Sequence, residues 1–197
     1  MFIRDLKILL ISALLLFTTA SFADSLKLPY LNFETKNNSL TILKRAPSDG
    51  LSVGSYTIYV YDSENVQLID GVVIQRDGEV YKAWVEPLEE GDFRVWVQSV
   101  SAGSGSYGEL DGFVFDGDKL KKINIKKANK NLLSNYRGHD SYFFKDGVIY
   151  REFPIYKNSD SNANPTGGKK CLRLDGSSFE WKASPCPSSK LPSQSRH

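Results

Sequence analysis

Hydrophobic and polar residues alternate with a period of two along much of the chain. Tyr56, Ile58 and Val60 are interleaved with Thr57, Tyr59 and Tyr61, and Phe93, Val95 and Val97 with Arg94, Trp96 and Gln98. That period places one set of side chains on each face of a strand. Further strand-like runs lie at 40–43, 142–144, 148–150 and 153–156. Asp-Gly recurs at 49–50, 70–71, 77–78, 111–112, 116–117, 146–147 and 175–176. This dipeptide suits the positive φ angles of tight hairpin turns, so its repetition predicts a meander of antiparallel strands. Several strands carry aromatic residues on both faces, which fits sheets packed face to face better than one sheet open to water. The expected fold is all-β, a single antiparallel β-sandwich with at most one short helix. The helix candidate spans 126–136, where Ala128, Leu132, Leu133 and Tyr136 fall at near-helical spacing and Gly138 offers a stop.

The start of the chain departs from this pattern. Arg4 and Lys7 precede an apolar run at 8–17, and Ser21 and Ala23 then stand at the −3 and −1 positions of a signal-peptidase site. Residues 1–23 therefore read as a secretory signal peptide, removed before Asp24. The run is shorter than the ~20 residues of a bilayer span, and no cysteine lies near the cut to carry a lipid, so no membrane anchor is expected after removal. The remaining organisation is a leading segment and first strand at 24–52, the β-sandwich domain at 53–182, and a flexible Pro- and Ser-rich tail at 183–197. In an exported chain the only two cysteines, Cys171 and Cys186, are expected to form a disulfide. It would close a hairpin turning at Asp175-Gly176 and contribute roughly 3 kcal/mol on the chain-entropy estimate.

Composition narrows the function. Of 197 residues, 41% are hydrophobic and 24% charged, as in ordinary globular domains. Loss of Arg4, Lys7 and Asp5 takes the formal charge from +2 to +1, too small a surplus for nucleic acid as the partner. Two histidines and one methionine leave little for a metal or histidine-based site, and no nucleophile elbow, His-x-x-x-His pair or phosphate loop occurs. His139 adjoins Asp140, an arrangement that rarely makes a catalytic pair. Glu86, Glu89, Glu90 and Asp92 surround Pro87 and Gly91, as in a solvated turn. Residues 160–164 open like a calcium loop, but Pro165 and Cys171 stand where Gly and Glu are needed, so a loop organised by Asx turns is expected instead. Lys119, Lys121, Lys122, Lys126 and Lys127 read as a solvated strand edge guarded against aggregation. Neither enzyme activity nor a cofactor or metal is expected.

One stretch invites a binding role. Between the strand at 93–98 and the run at 110–115 lies Ser99-Val100-Ser101-Ala102-Gly103-Ser104-Gly105-Ser106-Tyr107-Gly108. A two-residue turn would join those strands at lower entropic cost. The glycines would let the backbone approach another surface with free N–H groups, Ser104 and Ser106 offer compact hydroxyls, and Tyr107 offers a large ring with a polar tip.

Two segments resemble the family of periplasmic inhibitors of invertebrate-type (i-type) lysozyme. The first runs from Gly54-Ser55-Tyr56 through residues 71–78 and Trp96 to Ser104-Gly105-Ser106-Tyr107. The second is Asp146-Gly147-Val148-Ile149-Tyr150-Arg151-Glu152-Phe153-Pro154-Ile155-Tyr156, followed by Asn162-Ala163-Asn164-Pro165-Thr166-Gly167-Gly168. The likeness extends from about Val53 to Leu174 and leaves out 24–52. It implies an exported β-sandwich, located in the periplasm, that binds i-type lysozyme and blocks its cleft with Ser104, Gly105, Ser106 and Tyr107. It also implies a homodimer. The rival expectation is a carbohydrate- or peptidoglycan-binding β-sandwich using Trp84, Trp96 and Trp181 as stacking platforms, without inhibitory activity.

Overall fold

The computed structural model describes residues 30–34, 39–45 and 53–187, apart from 63 and 66. The expected signal peptide, the Asp-Gly at 49–50 and the tail from 188 onward lie outside the described residues. Among those described, the alternating runs form strands in three four-stranded sheets, every neighbouring pair antiparallel. The first sheet holds β1 (Tyr30–Glu34), β2 (Ser39–Arg45), β3 (Val53–Asp62) and β4 (Gln67–Asp77) in chain order. The second holds β5 (Glu79–Pro87), β6 (Phe93–Val100), β7 (Gly108–Phe115) and β8 (Leu120–Lys122), again in order. The third comprises β9 (Ser141–Lys145), β10 (Val148–Pro154), β11 (Lys169–Leu174) and β12 (Trp181–Ser184), with β10 and β11 inside.

The all-β antiparallel expectation holds, and the layering goes beyond one sandwich. The period-two pattern of β6 explains why. Phe93, Val95 and Val97 pack with Tyr56, Ile58, Val60, Phe113 and Phe115 in a core shared by the first two sheets. Trp96 points the other way and packs with Ile149, Phe153, Leu172 and Trp181 in a second core shared with the third sheet. The second sheet is thus covered on both faces, which is what its aromatic residues on both faces require.

Two Asp-Gly dipeptides expected to turn lie within strands instead. At 70–71 the pair is inside β4, and the Asp70 carboxylate accepts from the Leu120 N–H at 2.7 Å, tying the first sheet to the edge of the second. At 111–112 it is inside β7. There Asp111 accepts from the Tyr56 hydroxyl at 2.8 Å, and Gly112 makes room for the Trp96 ring, 2.5 Å from where a Cβ would sit. The pair at 146–147 does turn, with φ of 49° and 74°, joining β9 to β10.

The expected helix at 126–136 is not formed. The segment is a series of turns, in which the Asn129 carboxamide oxygen accepts from the Leu132 N–H at 3.0 Å and the Asn129 carbonyl from the Leu133 N–H at 3.1 Å. Asn129 thereby acts as an N-cap, but the turn it opens ends at Asn135, whose φ of 59° is left-handed, and Ala128, Leu132, Leu133 and Tyr136 are drawn onto the second core. The short helical element that does form is a single 3-10 turn at Glu89–Gly91. The disulfide joins Cys171 of β11 to Cys186 just beyond β12, as expected.

Candidate functional site

Residues 101–107 join β6 to β7 beyond the last ladder pair, Val100 with Gly108. The Ser101 N–H donates to the Tyr107 carbonyl at 2.8 Å, and the Tyr107 N–H donates to Ser101 Oγ at 3.0 Å, closing the neck. At the tip, the Ser106 N–H donates to the Gly103 carbonyl at 3.2 Å. Ser104 is exposed, Ser106 is half-buried, and the Tyr107 ring is 49% exposed. The loop therefore presents the side chains that the sequence singled out.

Two of its glycines have roles within the loop. Gly105 is buried, and a Cβ there would lie 2.4 Å from Cε2 of Tyr107, so its smallness lets the ring fold back over the loop. The Gly108 N–H is committed to the Asp140 carboxylate at 2.9 Å and is not offered to a partner. Gly105 and Gly108 thus shape the loop from within, while Gly103 is exposed with open space where a Cβ would sit.

Behind the loop stands residues 136–140. The His139 N–H donates to the Gly105 carbonyl at 2.7 Å. Gly138 sits at φ 103°, and a Cβ on it would lie 1.9 Å from the same carbonyl oxygen. Only glycine fits that contact. Tyr107 meets the Tyr136 ring edge-on at 5.8 Å between centroids. From further along the chain, Asn162 Nδ2 donates to the Ser104 carbonyl at 2.8 Å.

Asp140 is the hub of this support. Its side chain has no solvent exposure, and it accepts from the Gly108 N–H, the Tyr136 hydroxyl and Arg151 Nε, the last at 2.7 Å. The guanidinium of Arg151 lies against the rings of Tyr136, Tyr142 and Phe153. Burial, then the bond to Asp140, pushes the Tyr136 phenol well above its usual range, so it stays a donor. A cavity of about 510 Å³ opens beside this hub, with Tyr107, Tyr136, Tyr142, Arg151 and Trp181 in its wall.

Sequence reasoning passed over Gly138, Asp140, Arg151 and Asn162 as supports of the loop. The sequence places Asn162 in a loop organised by Asx turns, and that loop forms, with Asp160 accepting from the backbone of Lys157 and Thr166 at 2.7 Å each. Its side-chain bond to Ser104 spans 58 positions, a separation that leaves no local pattern.

The other candidates have structural partners. Asp140 pairs with Arg151 rather than with His139, whose Nε2 is buried without a hydrogen-bond partner. Glu86 is more than part of a solvated turn, since it accepts from Trp96 Nε1 at 2.9 Å and pairs with Arg94 at 3.2 Å. Lys122 pairs with Asp111, and β8 is an edge strand as its lysines suggested. Trp96 and Trp181 are buried at 2% and 8% exposure, and Trp84 packs against the second core, so the proposed sugar-stacking tryptophans fill the interior.

Residues 32–136 match the family model described as PliI, periplasmic lysozyme inhibitor of I-type lysozyme. The chain belongs to the PliI family. The match includes much of 24–52, where the motifs show no likeness, and ends before the second resembling segment, which runs through β10 and into the connection to β11. Two solved PliI structures are similar to the chain. One is Aeromonas hydrophila PliI in complex with Meretrix lusoria lysozyme, 27% identical over 48% of this chain and 81% of that one, with a TM-score of 0.44. The other is PliI-Ah from Aeromonas hydrophyla, 26% identical over 48% of this chain and 85% of that one, with a TM-score of 0.44. No curated protein sequence matches the chain.

Proposed function

We propose that this protein is a periplasmic, non-enzymatic inhibitor that binds i-type lysozyme and blocks its active-site cleft with Ser104, Gly105, Ser106 and Tyr107, so protecting the cell wall from hydrolysis. Membership of the PliI family supports the partner. The observation that carries the loop's role is Tyr107, half-exposed on a short, internally bonded loop at one end of the middle sheet. A lysozyme cleft holds two carboxyl groups, one kept protonated and one ionised. Serine and tyrosine hydroxyls donate to the ionised one and accept from the protonated one, so one loop suits both without covalent chemistry. A typical stable interface covers about 800 Å² per partner, more than this loop offers. Surface around it must therefore contribute to affinity.

A muramidase assay with i-type lysozyme tests the proposal. The exported protein should abolish activity stoichiometrically, and Ser104→Ala with Tyr107→Ala should weaken inhibition by about 30-fold or more, the effect of losing a central anchor, with little change in the thermal melt. Undiminished inhibition by the double variant would remove the loop from the mechanism. Retention on insoluble peptidoglycan with no effect on lysozyme would instead favour the carbohydrate-binding alternative.

A further inference from the structure

The family match ends at residue 136, yet the loop assigned to lysozyme is held mostly by residues beyond that point. His139, Asp140 and Asn162 supply the bonds to the backbone of Gly105, Gly108 and Ser104. Asp140 is in turn fixed by Arg151 of β10, in the third sheet. The Gly108 carbonyl is also held, by the buried Tyr142 hydroxyl of β9 at 3.1 Å. Within the matched length, Tyr136 is the residue behind the loop, through its ring contact with Tyr107.

We infer that the segments flanking the third sheet form a clamp on the lysozyme-binding loop, with Asp140, just before β9, and Asn162, in the connection between β10 and β11, as positioning residues that fix the shape of 104–107 before lysozyme arrives. This rests on the reading of the loop given above. A glycine- and serine-rich loop loses conformational entropy when it is ordered on binding, and ordering it beforehand removes that cost from association. The two ends of the clamp divide the work. Asp140 anchors the exit of the loop at Gly108 from the buried side, where an unpaired charge would be costly. Asn162 holds the tip at Ser104 from the surface side.

Asn162 itself sits on a rigid base. Its loop is organised by Asp160, which accepts from the Lys157 N–H, the Thr166 N–H and the Thr166 hydroxyl, and the Asn162 carbonyl accepts from the Tyr156 hydroxyl at 3.1 Å. These bonds use the Asn162 backbone or its neighbours, so shortening its side chain leaves the base in place and removes the hold on Ser104.

Asn162→Ala is therefore the test, read first without lysozyme. Amide hydrogen exchange in the free variant should quicken about threefold to tenfold at Ser106 and Tyr107, as expected for losing one hydrogen bond, while Val95 and Phe113 in the first core stay protected. Unchanged exchange at 106 and 107 would overturn the clamp. Inhibition of i-type lysozyme is then compared in a cycle with Tyr107→Ala. If Asn162 acts through the loop, its substitution weakens inhibition several-fold in the native background and has little further effect once Tyr107 is gone. Equal losses in both backgrounds would mean that Asn162 touches lysozyme directly, and would overturn the positioning role. Faster exchange combined with native inhibition by both Asn162→Ala and Tyr107→Ala would sink the loop's role in inhibition while leaving the clamp on its shape intact.

Discussion

Asp140 and Arg151 form a buried charge pair, with side chains 0% and 10% exposed. Such a pair returns its desolvation cost only through good geometry and further bonds. Asp140 has both, in Arg151 Nε, the Gly108 N–H and the Tyr136 hydroxyl. Asp140→Ala would leave Arg151 buried among three rings with no anion, and should cost about 3–5 kcal/mol in chemical denaturation. Removing Glu180, whose partner Lys126 is exposed, should scarcely move the denaturation midpoint, because exposed pairs contribute little. Gly138→Ala combines an unfavourable φ with a clash against the Gly105 carbonyl, so it should cost more than about 1 kcal/mol and weaken inhibition as well. A native melt and native inhibition would refute that packing. At this scale the sequence made the loop's outward residues legible, because Ser104 and Tyr107 stand out in a run of small residues. Their supports were not legible, since each is joined to the loop only by the folded chain.

Strands were the most readable elements, because a period of two is a direct consequence of burying one face. Turns were less so. Asp-Gly turns the chain at 146–147, but at 70–71 and 111–112 each aspartate bonds to a distant donor and the pair continues a strand. The segment at 126–136 had helical spacing without helix, since the single turn capped by Asn129 ends at Asn135, whose φ of 59° leaves the helical region. Two predictions belong to elements. The Cys171–Cys186 disulfide staples β12, the edge of the third sheet, and closes a loop of 15 residues. Replacing both cysteines with serine should cost up to about 3 kcal/mol, with the change in tryptophan fluorescence moving to lower denaturant. An unchanged midpoint would make the staple dispensable. The loop around Asp160 should respond to acid. Bonds from the Thr166 and Lys157 N–H groups hold the Asp160 carboxyl below its ordinary value. The anion is thus favoured in the folded loop, so its contribution is full at neutral pH and is lost as pH falls through that lowered value. The Thr166 amide should exchange faster only in strong acid; loss of its protection already near pH 5 would contradict this.

For the whole molecule, the middle sheet is the organising layer, sharing one core with the first sheet and another with the third. That third layer was legible in β6, where Trp96 alternates with Val95 and Val97, because a strand apolar on both faces needs cover on both and a two-sheet sandwich supplies only one. The arrangement also governs how the molecule meets its partner. Its formal charge is only +2, and several lysines near β8 are already matched, Lys122 by Asp111 at 2.7 Å, Lys126 by Glu180 at 2.7 Å and Lys121 by Asp116. Paired charges cancel within a few ångströms, so little field extends across the Debye length of about 8–10 Å at ordinary salt. Association should then depend on the shape of the clamped loop and its surroundings rather than on long-range attraction. The association rate with i-type lysozyme should change by less than about threefold between roughly 50 and 300 mM salt, where strongly steered pairs slow steeply. Stopped-flow measurement across that range decides it. A steep fall with salt would mean that unmatched charge near the loop guides the encounter, and that a preshaped loop is not the main determinant of how fast lysozyme is captured.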